Sequence, residues 1–277
     1  MKNWDTLYAA RTERIKSSAI RELLKLTQQP DIISFAGGLP APDVFPVHLV
    51  KEACDIVLKT KPQTALQYGT TEGYPPLRTS IVSSNANNGF NLSNDNVMIT
   101  AGGQQALDLI GKVFIDPGDK VLVEAPTYLG ALQAWNPYGA EYISVPNDEN
   151  GLIVQELEKV ISSGIKLIYL VPNFQNPTGV TLSIERRKAI IDLAIKFNVP
   201  IVEDDPYGRL RYEGDHLPPL YTLSSETTNT YDGNIIYISS FSKILSPGFR
   251  LAWIIAPLEV ISKLVPVSYT HLRAHET

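Results

Sequence analysis

The chain has 277 residues, 44% of them hydrophobic and 19% charged, which is enough apolar content for a large core in one large or two modest domains. Its 24 basic and 29 acidic residues are intermixed and leave a net charge of −5, which argues against a phosphate-backbone or membrane-surface partner and disfavours nucleic acid. The single cysteine, Cys54, excludes an intrachain disulfide framework; with a polar start, MKNWDTLYAARTERIKSS, and no run near the ~18 apolar residues of a membrane span, the expected setting is the cytoplasm.

In chain order, TERIKSSAIRELLKL carries Ile15, Ala19, Ile20, Leu23, Leu24 and Leu26 at helical spacing and predicts a helix ending before Pro30. DIISFAGGLPAPDVFP reads as a short strand running into a loop punctuated by glycine and proline, and HLVKEACDIVLKT as the next helix. From residue 96 the pattern turns regular. NVMIT leads into the helix AGGQQALDLIGKVF, KVLVEAP into YLGALQAW, and LIYLVPN into IERRKAIIDLAIKF; the strands VPIVEDD, NIIYISS and LAWIIA follow. Short continuous apolar runs alternating with amphipathic helices predict an α/β fold whose mostly parallel central sheet is buried on both faces, with functional loops at the carboxyl ends of the strands.

Polar residues cluster where that architecture puts a site: TAGGQQAL, PTYLG, PNFQNPTG, EDDPYG and SSFSK each follow a strand. Taken singly, each is a plausible turn or solvated stretch. Their ordered recurrence fits a nucleophilic amine, Lys243, that forms a Schiff base with an aldehyde cofactor such as pyridoxal 5′-phosphate. A protonated pyridine nitrogen then calls for a buried carboxylate, for which Asp204 is the candidate, and the ring's phenolic oxygen for donors, here Asn176 and Tyr207. A phosphate suits the helix start at Gly103 and Gln104, assisted by Ser240, Ser242 and Arg250, while Tyr128 can stack on the ring. No metal is expected.

The set GGQQALD, APTY, PNFQNPTG, EDDPYG and SFSKILSPGFR resembles the fold-type I pyridoxal-phosphate enzymes, specifically the class I/II aminotransferases, from about Thr12 to Pro266. SSAIRELLKL, ISFAGGLPAPDVFP and LQYGTTEGYPPLR look more narrowly like the 2-aminoadipate and kynurenine/aminoadipate aminotransferase group. The resemblance implies that Lys243 is the Schiff-base lysine. It implies that Asp204, three residues before Tyr207, is the pyridinium partner in preference to Asp205. Gly103 stands where relatives often have serine. Tyr68 matches a tyrosine that reaches the phosphate of the partner's cofactor, which implies a homodimer. Arg21 matches an arginine that meets a distal substrate carboxylate, with Gly38 in the adjacent substrate loop and Asn176 also facing substrate. The implied activity moves an amino group from an L-amino acid to a 2-oxo acid, commonly 2-oxoglutarate, in a ping-pong cycle. A lyase on the same fold shares these cofactor residues, and the aminotransferase-like effector domain of a transcription regulator is an alternative of another class. His48, His216 and Cys54 match nothing in the pattern and read as ordinary positions.

The end departs from the family. LEVISKLVP gives way to VSYTHLRAHET, which continues no helix or strand pattern and resembles a translated sequencing adapter. The expected organisation is an N-terminal helix and substrate loop over 1–45, a truncated cofactor-binding large domain over 46–266 with the small domain missing, and a non-native tail over 267–277. On that reading the chain itself is expected to be inactive.

Overall fold

The computed structural model describes residues 3–15, 31–33, 38–85, 92–224 and 231–271. The helix expected around Arg21, and Arg21 itself, lie outside them. The strand expected at the start of DIISFAGG is not seen at Asp31–Ile33, which is irregular.

Eight strands form one sheet: β1 Val97–Thr100, β2 Lys120–Ala125, β3 Glu141–Asp148, β4 Gly151–Leu152, β5 Ile165–Leu170, β6 Ile201–Asp204, β7 Ile235–Ser240 and β8 Ala252–Ile255. Their spatial order is β1-β8-β7-β6-β5-β2-β3-β4. The inner run from β7 to β3 is parallel, and β8 lies antiparallel to both β7 and β1. Strand β1 therefore points the same way as β7, and the loops after β1, β2, β5, β6 and β7 leave from one edge of the sheet.

Because successive strand residues face opposite sides, a strand buried on both sides must be apolar throughout. The core divides accordingly. Val97, Ile99, Leu122, Ile168, Ile201, Ile235 and Trp253 belong to one buried cluster, and Met98, Val121, Val123, Leu167, Val202, Ile236 and Ile254 to the other. Helices α1 Val47–Thr60, α2 Pro75–Ser84, α3 Gly103–Phe114, α4 Leu129–Trp135, α5 Val154–Ile161, α6 Ile184–Lys196 and α7 Leu258–His271 accompany the sheet. The first cluster is closed by α2, α5 and α6 through Ile81, Leu157, Ile161, Ile190 and Ile191. The second is closed by α3, α4 and α7 through Leu107, Ile110, Trp135, Ile261 and Leu264. Helix α1 buries none of its residues, and its Val47, Leu49, Ile56, Val57 and Leu58 stay exposed. Among the described residues no helix is long and apolar enough to cross a membrane.

Two further features differ from the sequence reading. No element was expected over 141–161, yet β3, β4 and α5 lie there. Strand β3 is mixed in burial and carries Pro146, so it lacks the apolar run that marks its neighbours. The pattern break expected after Pro266 is also absent: α7 continues through that proline to His271. Ile261, Leu264 and Ser268 form one buried stripe at helical spacing, in which the polar Ser268 hides the continuation.

A buried polar network ties α6 to the strand-end loops. The fully buried Arg187 donates to the carbonyls of Leu182, Pro172 and Pro218 and, at 2.7 Å, to Asn173 Oδ1. Nearby, Glu203 accepts the Leu220 and Tyr221 backbone N–H groups at 2.8 and 3.0 Å. Removing a buried donor leaves its acceptors unsatisfied, which costs more than the hydrogen bonds contributed. Arg187→Met is therefore expected to lower the unfolding free energy by about 3 kcal/mol or more, measured by urea denaturation; a change below about 1 kcal/mol would contradict this role.

Candidate active site

The three acidic residues of EDD have separate environments because β6 ends among them. Glu203 faces the α6 side and holds the Leu220 turn. Asp205, one residue past the strand, is occupied by its own loop: Oδ1 accepts Gly208 N–H at 2.8 Å, and its carbonyl accepts Ser239 Oγ–H at 2.8 Å. A side chain at Gly208 would collide with that carboxylate, so the glycine permits the turn. Asp204 faces the opposite side, where Tyr169 donates its phenol to Oδ2 at 2.8 Å. Burial drives the Asp204 pKa up to about 7, the Tyr169 hydrogen bond opposing this and the charge of Asp205 adding to it. Glu203 is likewise raised to about 7 by burial.

Around Asp204 stand the ring and amide groups expected from the sequence. Asn176 Nδ2 donates to the Tyr207 hydroxyl at 3.3 Å. The Tyr128 phenol is raised by burial first, then by the charges of Asp204 and Tyr207, while Arg250 opposes them, which sets it within electrostatic reach of all three. Its ring lies back over Gly130, where any side chain would strike it.

The other end of the site is built on the start of α3. Gly102, at φ +90°, is a conformation that suits only glycine, and a Cβ there would collide with the Arg250 guanidinium. Arg250 itself sits in the left-handed region at φ 52°, and Phe174 in the PNFQNPTG loop does so at φ 47°. Two of the three described non-glycine residues with positive φ thus flank this site, strain of the kind held at functional sites. Ser240 is buried, and its Oγ accepts Ser242 N–H at 2.9 Å. The N–H groups at the amino end of α3, the Arg250 guanidinium packed against Gly102 and the Ser240 hydroxyl could hold an anion. A Cβ on Gly103 would meet nothing within 4 Å, so a serine would be accommodated there. Gln104 Nε2 is tied to the Gly130 carbonyl at 2.9 Å.

Lys243 lies in the turn after β7, half-buried, with its pKa lowered by that burial. Its Nζ donates to the Gly38 carbonyl at 3.1 Å, so Gly38 meets the amine directly. Tyr68 is 63% exposed, as is its neighbour Leu66 at 79%.

Three residues were not singled out from the sequence. Tyr169 is a fully buried phenol, and such a hydroxyl requires a partner. Gln175 donates to the Pro126 carbonyl at 2.7 Å and accepts from Thr178 N–H and Oγ–H, joining the Tyr128 loop to the Asn176 loop. Glu124, raised to about 7 by burial, accepts Val171 N–H at 2.9 Å beneath them. A carboxylate at the end of an apolar strand was the available signal for Glu124.

At the sheet edge from which the Lys243 turn also leaves stand a buried carboxylate able to meet a protonated ring nitrogen, a phenol and an amide able to donate to a ring oxygen, and a helix start and an arginine able to hold an anion. The donor set fits pyridoxal 5′-phosphate. Residues 31–271 match the profile of the family described as aminotransferase class I and II. The chain is 45% identical over 270 residues to aromatic-amino-acid aminotransferase 1 of Thermococcus litoralis, covering 95% of this chain and 63% of that protein. It superposes with a TM-score of 0.90 on Pyrococcus horikoshii kynurenine aminotransferase in complex with PMP, at 42% identity, covering 97% of this chain and 66% of that one. It superposes equally, at 0.90, on the alpha-aminoadipate aminotransferase of Thermus thermophilus complexed with N-(5′-phosphopyridoxyl)-L-leucine, at 40% identity, covering 99% of this chain and 68% of that one. The chain spans about two thirds of the length of these relatives, and it belongs to the class I and II aminotransferase family.

Proposed function

We propose that this chain is the cofactor-binding part of a pyridoxal-phosphate-dependent aminotransferase that moves an amino group between an L-amino acid and a 2-oxo acid, 2-oxoglutarate being the expected acceptor, in two half-reactions. The observation that supports it most is the buried Asp204 carboxylate, held by Tyr169 beside the Asn176–Tyr207 pair and Tyr128. When bound, the cofactor supplies an aldehyde carbon and a ring that accepts electron density.

This chain's residues divide the remaining work. Asp204 keeps a cation favourable at the ring nitrogen, because an opposite charge at a buried site stabilises the protonated form. Tyr207 and Asn176 donate toward the ring oxygen. Arg250, Ser240, Ser242 and the start of α3 hold the phosphate, with Gln104 tied beside them. Lys243 is both nucleophile and proton carrier: burial lowers its pKa, so more of its Nζ is neutral near pH 7 and able to take a substrate's Cα proton and return it. Arg21 is read as the grip for a distal substrate carboxylate, beside Gly38. The uncovered α1, together with exposed Val44, Leu66 and Tyr68, supports a homodimer in which Tyr68 serves the partner's site.

Borohydride reduction of the chain incubated with pyridoxal 5′-phosphate is expected to fix one cofactor on the peptide carrying Lys243, and Lys243→Ala is expected to lose it. Undiminished labelling of that variant, mapped by mass spectrometry, would overturn the assignment.

The raised acids also set a pH dependence. Asp204, Glu203 and Glu124 each move from an ordinary value near 4 up to about 7, so between those pH values the folded chain binds protons that the unfolded chain does not. Their contribution to stability is fully present below about pH 4 and is lost as pH rises through about 7. The melting temperature without cofactor should fall between pH 5 and pH 8, and added cofactor should lessen the fall by pairing Asp204 with a cation. A melting temperature that rises across that interval would contradict this.

A further inference from the structure

We propose that Tyr169 is a positioning residue of the cofactor site: its phenol holds Oδ2 of Asp204, so that the carboxylate presents its other oxygen to the cofactor's ring nitrogen. This rests on the pyridoxal-phosphate reading above.

The geometry is specific. Tyr169 pairs with Val202 in the register of β5 against β6, and Asp204 lies two residues further along β6 on the same face. A tyrosine is long enough to reach that far along the sheet, and the phenol arrives at 2.8 Å. The ring is fully buried and cannot swing away, because Trp135 meets it edge-on at 5.4 Å. Trp135 is fixed in turn, donating Nε1–H to the Leu107 carbonyl of α3 at 2.7 Å. Helix α3 begins at the candidate anion site, so one continuous chain of contacts joins the two ends of the site. Among the described residues Oδ1 of Asp204 accepts no hydrogen bond, and Asp204 keeps 8% of its surface exposed, which leaves that oxygen for the ring.

The titratable groups facing Asp204 are Tyr169 from β5, the adjacent Asp205, Tyr128 at the start of α4, and Tyr207 beyond the strand. Of these, Tyr169 is the one that donates to the carboxylate, and its hydrogen bond opposes the upward drive of burial. Without it, the carboxylate becomes more basic and draws the ring proton toward itself. A less cationic ring raises the proton affinity of the nitrogen joining the cofactor to Lys243.

The test is a pH titration of the visible absorbance of the chain loaded with pyridoxal 5′-phosphate, comparing the parent with Tyr169→Phe, each in the Asp204 and Asp204→Asn backgrounds. Tyr169→Phe keeps the ring against Trp135, and circular dichroism without cofactor monitors the fold. The absorbance midpoint is expected to rise by about half to one pH unit in the Asp204 background and to stay unmoved in the Asp204→Asn background. 3-Fluorotyrosine installed at position 169, a stronger donor of nearly the same size, is expected to move the midpoint down, and it serves alone if Tyr169→Phe does not fold. An unmoved midpoint with either replacement, or equal shifts in both backgrounds, would overturn the proposal while leaving the cofactor reading intact. Absence of any visible band in the parent would remove both.

Discussion

A carboxylate buried at the end of a parallel strand is the constraint around which the rest of this molecule is arranged. Transferring an ionised carboxyl group from water to a protein interior is costly, and an uncompensated group protonates rather than bear that cost. Asp204 stands near that balance, with a pKa of about 7, one phenol donor and a like-charged neighbour in Asp205. A cation brought to its open side would tip it to the ionised form. The fold supplies the rigidity that holds the carboxylate in place, with Tyr169 on Oδ2.

That rigidity follows from the sheet. Strands apolar on both faces leave no place for polar groups except at their ends, and six strands running in one direction end at one edge, five of them in the loops that carry the candidate site. The alternation of β6 then assigns Glu203 to the structural network of Arg187 and the Leu220 turn, and Asp204 to the site. Gln175 fastens the loop after β2 to the loop after β5, so Tyr128 and Asn176 keep a fixed relation. Phe174, beside Gln175, and Arg250, packed against Gly102, both hold positive φ at this edge.

Much of this was legible in the sequence where burial is uniform. The strands from β5 to β8 read directly as apolar runs, and the polar residues after them as one edge. Strand β3 was not legible, because it alternates burial and contains Pro146; nor was the last turn of α7, where buried Ser268 breaks an apolar stripe that the backbone continues. In the site, lysine, aspartate and arginine declare their chemistry by type. Tyr169 does not, since a tyrosine inside an apolar run looks like packing until the strand register shows what its hydroxyl meets. Gly38 was expected near substrate, and its carbonyl lies on Lys243; Arg21 lies outside the described residues.

The division of roles between Asp204 and Asp205 is tested most directly by titrating pyridoxal 5′-phosphate into Asp204→Ala and Asp205→Ala while following both cofactor absorbance and melting temperature. Asp204→Ala should weaken cofactor binding by about tenfold or more while leaving the cofactor-free chain at least as stable, because a costly buried acid has been removed. Asp205→Ala should chiefly lower the melting temperature, since it releases the Gly208 turn and the Asn173 and Tyr237 contacts. Weaker cofactor binding in Asp205→Ala than in Asp204→Ala, with both variants folded, would contradict the account.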